Sequence, residues 1–123
     1  MNITELKAQL VRHEGMRNKP YKCTAGKLTI GVGRNLDDMG VSDAEADFML
    51  DNDIDRCIQQ AEGFLWFSTA PEAVQSAVVN LIFNLGFAGF TKFKRTIAHL
   101  AAEDYELAGA ELLNSRYAEQ VPL

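Results

Sequence analysis

A chain of 123 residues, 47% hydrophobic and 24% charged, has the make-up of one folded domain and is too short for two sizeable cores. Its formal charge of -5 disfavours a nucleic-acid partner, because phosphate recognition needs clustered cations and the one basic cluster is Lys92, Lys94 and Arg95. No apolar run approaches the roughly 20 residues of a membrane span, and the first residues lack the charged-then-apolar order of a secretion leader. The chain is therefore expected to stay in the cytoplasm that makes it, with Cys23 and Cys57 as free thiols.

Asn2 and Glu5 make a capping pair, and Ile3, Leu6, Leu10 and Val11 draw one apolar stripe along a first helix. Gly15 closes it, which leaves Glu14 at the helix's C-terminal lip. The helix dipole disfavours an anion there. With partial burial added, the carboxyl is expected to stay protonated, as general-acid chemistry requires.

After Pro20 the spacing changes to alternation, with Leu28, Ile30 and Val32 expected to face inward and Thr29, Gly31 and Gly33 on the open side, where a bulky ligand can approach the backbone. Thr24 to Lys27 reads as a turn, so Tyr21–Cys23 pairs with Leu28–Ile30 as a hairpin. This region runs to about Leu36, and Asp37-Asp38-Met39-Gly40 has turn chemistry.

Ser42 with Glu45 is a second capping box, and the helix behind it, ending at about Gly63, carries the stripe Leu50, Ile54, Cys57, Ile58, Ala61, Leu65. On that stripe Cys57 reads as a small buried hydrophobe. The aromatics Phe64, Trp66 and Phe67 are more simply core closure than a sugar platform. Thr69 to Glu72 is expected to cap a third helix, with Pro71 in its first turn, and Val74, Ala77, Val78, Leu81, Ile82 and Leu85 make it the most buried element.

Asn80 and Asn84 interrupt that apolar surface one turn apart, as structural hydrogen-bonders or as substrate contacts. Gly86 to Gly89 should end the helix. Phe90, Phe93, Ile97 and Leu100 mark the next, Asp104 starts another with Leu107, Ala110 and Leu113 inward, and Ser115-Arg116-Tyr117 begins a final turn. His13 and His99 fall in helical runs as surface residues. A thiol hydrolase pairing either with Cys23 is a weak reading, and no spacing suggests a metal.

Glu14, eight residues, Cys23, five residues, Thr29, then Ile30-Gly31-Val32-Gly33, resembles the catalytic signature of phage-type lysozymes, the endolysin muramidases of glycoside hydrolase family 24. In that family the middle position is usually Asp and sometimes Cys. The resemblance continues through Val41–Ala46, Val79–Gly86, Ala88–Phe90 and Ser115–Tyr117. It implies an α+β, mainly helical, lysozyme-like fold in one domain over residues 1–123. A small β-hairpin lobe of about 15–40 would be separated by a cleft from a helical lobe of about 64–123.

The resemblance further implies hydrolysis of the beta-1,4 bond between N-acetylmuramic acid and N-acetylglucosamine in peptidoglycan, leading to host lysis. Glu14, Cys23 and Thr29 would be catalytic, and Gly31, Gly33, Asn80 and Asn84 would contact substrate. No cofactor or metal is implied, and the protein is expected as a monomer released from the host cytoplasm by a holin. Family members usually continue into a further helix whose start brings an arginine to the catalytic glutamate. With Leu123 last in this sequence, Arg116 is the nearest substitute. The alternative reading of that ending is a peptidoglycan-binding or interaction module with impaired catalysis. For Cys23 three roles stay open: thiolate base, covalent nucleophile, or packing group beside a water held by Thr29.

Overall fold

The computed structural model describes residues 1–114 and divides into two compact units, one of Met1–Asp47 and one beginning at Phe48. It is mainly helical with one small antiparallel sheet, the α+β class expected.

The first unit opens with α1 (Ile3–Glu14). Asn2 accepts the Glu5 amide proton at 3.0 Å, which satisfies one of the donors a helix start leaves free. Gly15 takes φ 74° and returns its own N–H to the Val11 carbonyl at 2.8 Å, so the chain turns out of the helix directly after Glu14. Three strands follow in the order β1 (Arg17–Lys22), β2 (Leu28–Gly31), β3 (Arg34–Asn35). The first begins before Pro20, which is tolerated because β1 is an edge strand and its register slips between Arg17 and Tyr21. The Arg17 guanidinium lies 4.3 Å above the Tyr21 ring on one face of that strand.

The β1–β2 turn forms as expected. Gly26, at φ 77°, donates to the Cys23 carbonyl at 2.8 Å, and Cys23 donates to the Lys27 carbonyl at 2.9 Å. The facing of the sheet differs from the alternation argument. Thr29 is 3% exposed whereas Leu28 and Val32 are each 37% exposed. Thr29 lies in the central strand, paired with Tyr21 on one side and Asn35 on the other, so cross-strand neighbours cover it. Val32 belongs to the loop joining β2 to β3 and not to a strand face.

Where a turn was expected, Leu36–Met39 is a single helical turn, α2, capped by Asn35 through the Asp38 amide at 3.0 Å. The helix α3 (Asp43–Glu62) starts with the predicted reciprocal box. Ser42 Oγ accepts from the Glu45 amide at 3.1 Å and Glu45 Oε1 accepts from the Ser42 amide at 2.8 Å.

In the second unit, later turns of α3 pack with α4 (Glu72–Phe90), α5 (Lys94–Ala101) and α6 (Tyr105–Leu113). Phe90, Ile82 and Val78 are the largest fully buried side chains, joined by Cys57, Ala61, Phe67, Leu81, Leu100 and Ala108. Phe64 stacks on Trp66 at 5.1 Å and meets Phe90 edge-on at 5.9 Å, so the aromatics close this core. Cys57 is buried, as its place on the stripe indicates.

Three local expectations change. Leu65 is 97% exposed, because α3 stops at Glu62 and the stripe's phase is lost in the turns that follow. Thr69 does not cap α4: its hydroxyl turns to the Trp66 carbonyl at 3.4 Å, and Pro71 stands at the cap without a side-chain bond. Gly86, at φ 74° and ψ 158°, leaves helical geometry and breaks α4 where the break was expected, and a short helical segment follows through Phe90. In α6 the buried side is Ala108 with half-buried Tyr105 and Leu112, leaving Leu107, Ala110 and Leu113 exposed. That helix carries two apolar stripes, and packing against the core selects the one with Ala108.

The α4 helix is also, by length and composition alone, long and apolar enough to cross a membrane, against the reading that no run comes near this. Its Val78, Leu81, Ile82 and Phe90 are buried in the core of the unit.

Candidate active site

The capping of α1 decides where Glu14 ends. From the last helical position its carboxyl folds onto Gly33, in the β2–β3 loop. A Cβ built on Gly33 would come within 3.0 Å of Glu14 Oε2 and 3.2 Å of its carboxyl carbon. At φ 70° Gly33 also has a backbone shape that side chains disfavour, so glycine is required twice over. Glu14 is exposed, where partial burial was expected.

Cys23 and Thr29 come together across the first hairpin. The Lys27 carbonyl accepts two hydrogen bonds, from the Cys23 amide and from Thr29 Oγ1, each at 2.9 Å. The Cys23 thiol lies below its ordinary pKa. The backbone hydrogen bond from Lys27 is the main cause and one from Ala25 the next; the Thr29 hydroxyl adds to them, while desolvation pushes the other way. Thr29 has a single hydroxyl proton, which serves either the Lys27 carbonyl or the sulfur. Ionisation of Cys23 therefore competes for it.

The loop carrying these groups is tied to α2. Lys27 Nζ donates to Asp38 Oδ1 at 3.2 Å, and the Leu28 amide donates to Asp37 Oδ2 at 2.7 Å. On the far side of β2, Arg34 Nη1 and Nη2 donate to Glu45 Oε1 and Oε2 at 2.8 and 2.5 Å, and Nη1 also donates to the Gly40 carbonyl at 3.1 Å. These bonds, with those from Ser42, hold the Glu45 carboxyl well down, to about 2. Sequence reasoning missed this clamp because Glu45 was already accounted for as a capping residue. The available signal was an arginine directly after Gly33, with that glutamate 11 positions on.

Asn80 and Asn84 stand on the second unit and are exposed, where interruption of an apolar surface had suggested burial. Asn84 Nδ2 donates to Asn80 Oδ1 at 2.7 Å and to its carbonyl at 2.9 Å. Both line a groove of about 660 Å³ whose apolar wall includes Ile54, Ile58, Val79 and Phe83. Thus Glu14 is set beside Gly33, in the loop that follows Gly31 at the end of β2, and Cys23 beside Thr29, all within the first unit. The asparagines belong to the other unit, and Arg116 lies outside the described residues.

The phage lysozyme family model matches residues 11–122. The chain belongs to the phage lysozyme family. Among its relatives is an endolysin from Acyrthosiphon pisum secondary endosymbiont phage 1, 31% identical over 121 residues that cover 92% of this chain and 79% of that protein. Another is the probable T4-type lysozyme 2 of Dictyostelium discoideum, 25% identical over 150 residues, covering 98% of this chain and 88% of that one. As a phage lysozyme the protein is a muramidase, and peptidoglycan is the substrate that membership implies.

Proposed function

We propose that this lysozyme is an endolysin that hydrolyses the beta-1,4 bond between N-acetylmuramic acid and N-acetylglucosamine, weakening the wall until the host cell lyses. Glu14 gives its proton to the departing glycosidic oxygen while Cys23, as thiolate, takes a proton from a water that attacks the anomeric carbon. Thr29 holds that water, and Gly31 and Gly33 leave room for the sugar. Bulk water then resets both groups, returning a proton to Glu14 and accepting one from Cys23.

The observation that carries this reading is the placement of Cys23 among hydrogen-bond donors that favour its thiolate, with Thr29 alongside. A base at that position is what the family's usual aspartate would supply. The reaction is then an inversion, and a thiolate acting as nucleophile would give retention instead.

The test is release of reducing ends from purified peptidoglycan, with the anomer identified by NMR. Glu14→Gln is expected to lower turnover by about 10²- to 10⁴-fold without changing the unfolding temperature. A Glu14→Gln enzyme that still releases reducing ends removes the assignment. Capture on peptidoglycan by the unmodified protein with no release would select the non-catalytic binding module.

A further inference from the structure

Outside the groups that would meet the sugar, the most elaborately held side chain of the first unit is Arg34. It directly follows Gly33 and opens β3. Three hydrogen bonds fix its guanidinium: two to the Glu45 carboxylate in a fork and one to the Gly40 carbonyl. Glu45 is itself pinned at the first turn of α3, a helix of 20 residues, by the reciprocal bonds with Ser42.

An exposed ion pair contributes little to stability. Both partners here keep about two fifths of their side-chain surface, 40% and 43%. Its consequence is geometric. The loop it borders is Val32-Gly33, entered from Gly31 at the end of β2, with both glycines at positive φ, 67° and 70°, and so the part of the sheet with the most backbone freedom to lose. Gly33 is also the surface on which the Glu14 carboxyl rests.

We infer that Arg34 is a positioning residue of the glycosidase reaction: its fork to Glu45 fixes the glycine loop and, through Gly33, the place from which Glu14 delivers its proton. The inference rests on the proposed role of Glu14 and goes beyond it by linking that carboxyl to the start of α3. A guanidinium suits the task because two parallel N–H donors set orientation as well as distance, which an ammonium cannot do.

The experiment assays Arg34→Met, Arg34→Lys, Glu45→Gln and the Arg34→Met/Glu45→Gln double variant on solubilised peptidoglycan glycan strands, with thermal unfolding recorded beside each. Arg34→Met and Glu45→Gln should each lower kcat by roughly tenfold to hundredfold with KM nearly unchanged, since misplacing a catalytic group by about 1 Å costs that much. The double variant should lose no more than the worse single one, because both break the same link. Arg34→Lys should lose nearly as much as Arg34→Met.

An Arg34→Met enzyme with unimpaired kcat overturns the inference. So do additive losses, or a fall in rate that only follows the folded fraction at the assay temperature. Should Arg34→Met fail to fold, Glu45→Gln carries the same test, since its amide oxygen can still accept from Ser42. Glu14→Gln separates the two levels. Full turnover there removes the reading beneath the inference, whereas an inactive Glu14→Gln beside an unimpaired Arg34→Met overturns the positioning role alone.

Discussion

The two units are held together by different physics. From Met1 to Asp47 the one fully buried side chain is Thr29, and order comes from caps, turns, glycine backbones and the pairs Lys27–Asp38 and Arg34–Glu45. The unit beginning at Phe48 has a core of Phe90, Ile82, Val78 and their neighbours. Its one ion pair among the described residues is the local Asp53–Arg56. Every candidate catalytic side chain lies in the unit with little core. A catalytic group needs a set direction more than a deep site, and hydrogen bonds are directional where apolar burial is not.

The contrast can be broken most sharply in the core. Phe90→Ala should cost about 3–5 kcal/mol, because it deletes a fully buried ring and leaves a cavity under Phe64. Chemical denaturation would measure it, and a loss under about 1 kcal/mol would mean the second unit is not organised by apolar packing.

A change of comparable size but different kind is expected in the first unit. Cys23→Ala should lower turnover by roughly 10²-fold or more with little effect on stability, and Cys23→Asp should restore much of the rate. With the thiol below its ordinary value, iodoacetamide should label Cys23 at a lower pH than it labels a free thiol, while buried Cys57 stays slow. Labelling that follows the profile of a free cysteine would show that the loop's hydrogen bonds do not reach the sulfur.

Acid should separate the units next. Glu45 has its carboxyl lowered from 4.5 to about 2, so the stabilisation it contributes is fully present above about pH 4.5 and is lost as pH falls towards 2. Hydrogen exchange at the Ser42 and Glu45 amides should rise through that window before exchange in α4 does. Glu45→Gln should flatten the dependence. Simultaneous loss of protection in both units would deny the clamp a separate role.

The smallest expected effect is at the chain's start. Asn2→Ala removes the cap on α1 and should cost about 1 kcal/mol, read as fraying of its first turn by NMR. Unchanged α1 shifts would mean that the rest of the chain, and not the cap, holds the helix.

Much of the first unit was legible because its determinants are local. Asn2 with Glu5, Gly15 after Glu14, Gly26 in the turn and Ser42 with Glu45 each act over a few residues, and their roles can be read from spacing. The Glu14, Cys23, Thr29 spacing was legible for the same reason. The facing of Thr29 was not, since its burial depends on Tyr21 and Asn35 arriving from both neighbouring strands. Nor was the choice between the two apolar stripes of α6, or the exposure of Leu65, which follow from contacts distant in sequence.

The sequence by itself determined the family and the starts of α1, α3 and α6, and nominated the residues for acid and base chemistry, because caps, turns and motif spacing are properties of short segments. Tertiary structure alone decided that Glu14 rests on Gly33, that Thr29 is covered while Leu28 is not, and that Arg34 grips Glu45. Those outcomes depend on which segments meet, and periodicity along one segment carries no information about the surface that will face it.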